Sequence, residues 1–150
     1  MKNLLHTAII ASSVALAGPA SAQFAKPEDA YKYRASVMFL QGQHMGRINA
    51  QLKMDKPNLS AVAENAAILD TVNRLSFTAF PEGSDMVGNS RAKPEIWTDQ
   101  AKFKQYADRL NGDVAKLLAA SKAGDLSATR ASFQSVAQVC KACHDDFRRD

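Results

Sequence analysis

Cys140-Lys141-Ala142-Cys143-His144 stands close to the end of a 150-residue chain, with only six residues after the histidine. Two cysteines three positions apart, followed directly by a histidine, are the pattern by which a chain attaches a c-type haem covalently. The spacing has a chemical reason. On a helix each thiol reaches one of the two vinyl groups of a single porphyrin, while the adjacent imidazole turns a nitrogen to the iron. These are the only two cysteines in the chain, so the pair is committed to this one site. Cys140 and Cys143 are therefore the candidate attachment residues and His144 the candidate iron ligand.

Three other uses of the motif compete. A Cys-x-x-Cys pair can be a thiol–disulfide centre, but that use accompanies a βαβ pattern, and no strand pattern is visible here. A structural zinc site takes four protein ligands and a catalytic one three plus water, and a single Cys-Cys-His cluster suits neither. A plain disulfide across three residues of one helix would constrain little of the unfolded chain.

The N-terminus agrees with the haem reading. Residues 1–22 have a cationic start at Lys2, an apolar run from Ala8 to Ala17 broken only by Ser12 and Ser13, and a small-residue end, Ala20-Ser21-Ala22. That is the pattern of a secretory signal cut before Gln23. The run falls short of the ~20 residues that span a bilayer, so no membrane anchor remains after cleavage. Since c-type haem is attached outside the cytoplasm, export to the periplasm and Cys-x-x-Cys-His support each other. Loss of Lys2 lowers the formal charge from +4 to +3, and two haem propionates bring it to about +1. A balance so near neutrality implies no nucleic acid or other polyanionic partner.

Residues 23–150 suit one domain, and they divide into four segments of helical period with proline-marked or polar breaks. The first opens at Pro27, whose missing N–H suits the first helical position, with Glu28 and Asp29 at the positive helix end, and runs to Leu52. It carries two neighbouring stripes, Ala30, Tyr33, Val37, Leu40 and His44 beside Arg34, Met38, Gln41, Met45, Ile48 and Leu52. So wide an arc predicts burial on more than one side. Asn58 or Ser60 caps the second helix, whose core positions are read as Val62, Ala66, Leu69, Val72 and Phe80. Residues 81–94 are rich in turn formers and long for a helix–helix connection. Thr98 or Asp99 caps the third, with Phe103, Tyr106, Leu110, Val114 and Leu117 inward, and Gly124 stops it. Asp125 starts the fourth, which sets Leu126, Phe133, Val136, Cys140, Cys143 and Phe147 on one face. Four helices of this length with short joints predict an all-α, antiparallel up-down four-helix bundle holding one covalently bound haem c.

With only six residues after His144, any sixth iron ligand comes from upstream, and the first helix is the candidate. The C-terminal motif with Arg148 four residues on, the Lys93-Pro94-Glu95-Ile96-Trp97 loop, and the opening Phe24-Ala25-Lys26-Pro27-Glu28-Asp29-Ala30 with Tyr33-Arg34 together resemble cytochrome c′, of the class II cytochromes c. Cytochrome c′ is itself a standard example of the up-down bundle.

The resemblance implies thioether bonds at Cys140 and Cys143, His144 as proximal ligand, Met38 over the vacant iron face, Arg34 near the haem propionates and Arg148 beside the proximal histidine. Apart from the resemblance, Arg91 and Lys93 are basic residues of the long loop and candidate partners for a propionate, or ordinary loop charges, and Trp97 is counted with the cofactor-binding residues. Family members typically leave the sixth site empty, bind nitric oxide and carbon monoxide, and dimerise through the first helix. Residue chemistry sets other roles beside these. Met38 as core filler packs on a porphyrin without ligating it, Arg34 and Arg148 are alternatively solvated cations, and His44 is expected at the surface or an interface.

Two functions follow. A five-coordinate, His144-ligated high-spin iron would bind NO and CO, because a pocket without hydrogen-bond donors disfavours polarised dioxygen, and it would exchange electrons with a small redox partner. In the alternative, Met38 sulfur makes the iron six-coordinate and low-spin, and the protein is a simple electron carrier. An exported helical protein acting through its cysteine pair without haem is the third class. No acid–base constellation beyond the haem points to an enzyme.

Overall fold

The computed structural model describes residues 23–150, so the signal expected at 1–22 lies outside the described residues. Five helices follow in order: α1 (Pro27–Leu52), α2 (Leu59–Ser76), α3 (Glu95–Thr98), α4 (Gln100–Lys122) and α5 (Leu126–Phe147). The four long ones make the antiparallel bundle. Their ends are set by local chemistry. Pro27 opens α1 ahead of Glu28 and Asp29. Asn58, not Ser60, caps α2, accepting from Ala61 N at 3.1 Å. Asp99, not Thr98, caps α4 through Lys102 N at 3.1 Å, and Asp125 caps α5 through Ala128 N at 2.9 Å. Each side-chain oxygen satisfies one of the N–H groups that a helix start leaves without a partner. Gly124 takes a φ of 74°, the left-handed turn that lets α4 stop and α5 begin at once.

The second helix ends sooner than its apolar spacing predicts. The helical ladder stops at Ser76, and Phe80 lies beyond it. Pro81 disfavours helical backbone in the residue before it, and Thr78 Oγ1 turns back on Leu75 O at 2.8 Å. The chain leaves the axis, and Phe80 joins a separate aromatic group. The crossover is not wholly loop either, since Glu95–Thr98 forms one helical turn.

Two cores result. The larger joins Val37, Ile48 and Leu52 of α1 with Val62, Ala66 and Leu69 of α2, Val114 and Leu117 of α4 and Val136 of α5. The smaller gathers Ala92, Ile96 and Phe147, with Phe80, Trp97, Phe103, Tyr106 and Cys143 against them. Its rings meet edge to face: Phe80–Phe103 at 4.9 Å and Phe103–Phe147 at 5.3 Å between centroids. That geometry sets ring edges against the negative ring faces. Helices α1 and α2, α2 and α4, and α4 and α5 pack as neighbours, Arg130 of α5 donates to Leu52 O at the end of α1 at 3.1 Å, and the cavity described below is bordered by both α1 and α5.

Leu117 is fully buried in the larger core. Leu117→Ala is expected to destabilise the bundle by about 2–5 kcal/mol, through lost transfer energy and the void left behind. Urea unfolding of the two proteins measures the difference.

Candidate functional site

Cys140, Cys143 and His144 border one cavity of ≈ 680 Å³, within the range of about 300–1,000 Å³ typical of cofactor sites. Helix α5 supplies these three and Phe147, the crossover supplies Arg91, Ala92 and Ile96, and α1 closes the opposite side with Met38, Gln41 and Met45. A smaller hollow of ≈ 460 Å³ on the outer side of His144 is bordered by Lys93, Asp145 and the C-terminal residues from Arg148 on. It holds no sulfur, so attachment chemistry belongs to the larger space.

Both cysteines are free thiols, half-buried. Burial pushes the Cys140 thiol up, and burial, followed by the neighbouring Cys140, pushes Cys143 up to about 11. Thiols so firmly protonated are poor at disulfide exchange, which needs thiolate. Among the described residues no three His, Cys, Asp or Glu cluster as a metal cage. Burial also lowers the His144 pKa, with help from Arg148 and then Arg91, which favours the neutral imidazole, the form that ligates a metal. Two adjacent thiols, a neutral imidazole, a mostly apolar wall and cations at the rim fit a haem.

Other sequence-predicted residues fall less simply. Met38 lines the cavity from α1, and Arg91 and Arg148 are exposed at its rim. Arg34 borders the cavity but is only 5 % exposed, which excludes a solvated cation. Its terminal nitrogens are fully used. Nη1 donates to Ala79 O (2.7 Å) and Ser84 Oγ (3.0 Å), and Nη2 to Ser84 O (2.8 Å) and Ser90 Oγ (3.0 Å). The guanidinium also lies 4.5 Å from the centre of the Phe80 ring, a cation–π contact. It therefore ties α1 to the crossover. Trp97 is not on the cavity wall. It stands behind it, half-buried, its Nε1 donating to Phe80 O at 3.1 Å, so that it braces Phe80. His44, expected at the surface or an interface, is buried between α1 and α2. Asn65 Nδ2 is engaged with Ala61 O, so Asn65 Oδ1 accepts from His44 Nδ1 at 2.9 Å.

The crossover is also held from the C-terminus. Lys93 N donates to Phe147 O (2.9 Å) and Arg149 N to Arg91 O (2.8 Å), an antiparallel bridge of Ala92 with Arg148. Gly88, with φ of 55°, lies where a Cβ would stand 2.6 Å from the Tyr31 ring, so glycine alone fits. The sequence pattern had no signal for Ser84 and Ser90 as partners of Arg34. Gln41 and Met45 did share the Met38 stripe, at helical steps of three and seven.

A four-helix bundle that attaches haem through a Cys-x-x-Cys-His turn on its last helix is a bundle-class c-type cytochrome. The family model described as cytochrome c′ matches residues 29–148. The cytochrome c′ of Alcaligenes xylosoxydans xylosoxydans is 42 % identical over 128 residues, covering 85 % of this chain and 98 % of that protein. The crystal structure of cytochrome c′ from Rubrivivax gelatinosus has a TM-score of 0.80 at 40 % identity, covering 85 % of this chain and 100 % of that one. Two variants of the Alcaligenes xylosoxidans protein match with TM-scores of 0.78. One is ferrous with bound nitric oxide, at 40 % identity over 85 % of this chain and 99 % of that one. The other has carbon monoxide bound, at 41 % identity over 85 % and 100 %. The chain belongs to the cytochrome c′ family, and its cofactor is one covalently attached haem c with its iron.

Arg34→Ala would leave four loop oxygens without their donor, at an expected cost on the order of 2–4 kcal/mol. Urea unfolding and faster proteolytic nicking within 77–94 are the readouts. On the other side of the site, Tyr106 Oη donates to Asp146 Oδ2 at 2.7 Å, and Lys102 Nζ pairs with the same oxygen at 3.0 Å. The hydrogen bond from Tyr106, then that from Lys102, holds the Asp146 carboxyl below its ordinary pKa. A lowered carboxylate pKa contributes stability that is complete above its unfolded value of about 3.9 and is lost as pH falls through the folded value. Tyr106→Phe is expected to raise the Asp146 pKa in an NMR titration and to make acid destabilisation shallower.

Proposed function

We propose that this chain is an exported, periplasmic monohaem cytochrome whose iron takes His144 as its one protein ligand and binds nitric oxide and carbon monoxide on the face beneath Met38. The observation that carries this reading is the make-up of one cavity. Its wall holds a single histidine, at the attachment turn, and faces it across the space with Met38 and Met45 of α1. The nitric oxide and carbon monoxide complexes of the Alcaligenes xylosoxidans protein support it.

When bound, the haem iron supplies the ligand-binding and one-electron chemistry, so a part in electron transfer belongs to the same proposal. The chain supplies position and surroundings. Cys140 and Cys143 hold the porphyrin by thioethers, and the depressed pKa favours the neutral form of His144 as the proximal ligand. Met38 acts as adaptable apolar filler, because a thioether packs well on an aromatic face without bonding to a metal. Arg91 and Arg148 at the rim are the cations for the propionates, whereas Arg34 serves the crossover. Such a site binds a ligand and releases it unchanged, a binding role rather than catalysis. Helix α1 also carries Phe39 and Leu40, 65 % and 43 % exposed, and this apolar outer face is the surface on which the proposed homodimer forms.

Absorption spectra of the oxidised and reduced protein, with and without each gas, test the reading. A high-spin ferric spectrum is expected, with a reduced form that takes up carbon monoxide, and Met38→Leu should leave it nearly unchanged. A low-spin spectrum that becomes high-spin in Met38→Leu would make Met38 a ligand and the protein a six-coordinate electron carrier.

A further inference from the structure

The cavity wall is not uniformly apolar. Gln41 and Ser76 both border it, and a glutamine amide brings two N–H donors. Gln41 stands three residues beyond Met38 on α1, so the two share a helix face. A free donor there would alter ligand choice, since distal hydrogen-bond donors decide between dioxygen and the less polar gases.

Both donors are taken up by protein acceptors. Gln41 Nε2 donates to Asn73 Oδ1 at 3.2 Å and to Ser76 Oγ at 3.1 Å. These acceptors are themselves fixed. Ser76 Oγ donates to Asn73 O at 2.9 Å, and Asn73 Nδ2 donates to Asn111 Oδ1 at 2.7 Å. Asn73 and Ser76 are each 1 % exposed, so water does not compete for them. The network joins α1, α2 and α4. Turning the Gln41 amide over would set its Oε1 against Asn73 Oδ1, acceptor to acceptor, unless the linked amides all turned together.

We infer that Asn73 and Ser76 are positioning residues of the gas site: they hold the Gln41 amide so that this part of the wall offers no N–H to the bound ligand. The inference rests on the open-site reading above and names the residues that enforce its selectivity. Gln41 thus satisfies a buried junction between three helices without paying for it in dioxygen affinity.

The test is the infrared C–O stretch of the carbon monoxide complex of the reduced holoprotein, which moves to lower wavenumber when a donor faces the ligand. Ser76→Ala removes one acceptor and frees one Gln41 N–H at the wall. Its band is expected to shift downward, and its dioxygen affinity to rise by up to roughly tenfold, the worth of one net hydrogen bond. Gln41→Leu removes the donors altogether and is expected to keep the parent band. A Ser76→Ala band that stays in place overturns the inference, as does a Gln41→Leu band that moves upward, since the parent amide would then already face the ligand. The parent alone gives a further readout that needs no variant to fold. The Gln41 side-chain amide protons should exchange slowly with solvent in NMR of the carbon monoxide complex, and rapid exchange counts against the network. Absence of any carbonyl band in the parent would instead overturn the open-site reading, and this inference with it.

Discussion

Helices α1 and α5 both border the cavity that a haem would fill, and much of the molecule is arranged around that space. Three successive helix pairs pack directly, while a space of ≈ 680 Å³ lies between the first helix and the last. An unfilled apolar space of that size would forfeit the dispersion contacts that a close-packed interior supplies. The porphyrin is therefore part of the core as well as the reactive group. A covalently attached haem c fills such a space permanently rather than as a reversible ligand.

The crossover closes this end of the bundle and is held from two sides. Arg34 reaches up from α1 to oxygens of Ala79, Ser84 and Ser90, and the bridge at Ala92 and Arg148 fastens the other side to the end of α5. The loop is thereby tied to both helices that flank the cavity. Arg91 and Ala92 border the cavity from a segment fixed at both ends, and Trp97 holds Phe80 in place behind them. Arg34, which the resemblance places near the propionates, instead bonds to oxygens of the crossover, and Arg91 and Arg148 are the exposed cations at the rim.

The same economy of polar groups appears on the wall formed by α1 and α2. Gln41, Asn73, Ser76 and Asn111 satisfy one another, and among the described residues no fully buried side-chain polar atom is left without a partner. The bonds among them tie α1, α2 and α4 together, and pairing matters there because a buried polar group without a partner is more costly than an apolar contact.

What the sequence by itself determined is local. The attachment turn, the start of α1 at Pro27, the start of α5 at Asp125 and the stop at Gly124 rest on interactions within a few residues, so spacing alone exposes them, whereas spacing narrows the caps of α2 and α4 only to two residues each and the structure selects Asn58 and Asp99. The resemblance to cytochrome c′ rested on such short motifs and was sufficient to anticipate family, fold and cofactor. The tertiary structure alone decided where polar groups would find partners. Arg34 bonds to atoms 45 to 56 positions away, Gln41 to atoms 32 and 35 away, and His44 to Asn65 across a helix pair. A hydrogen bond is made or lost over a few tenths of an ångström, and helical periodicity gives the direction of a side chain but not that distance. Phe80 illustrates the same limit, because its spacing continued the helix while Pro81 and the aromatic cluster drew the chain away from it.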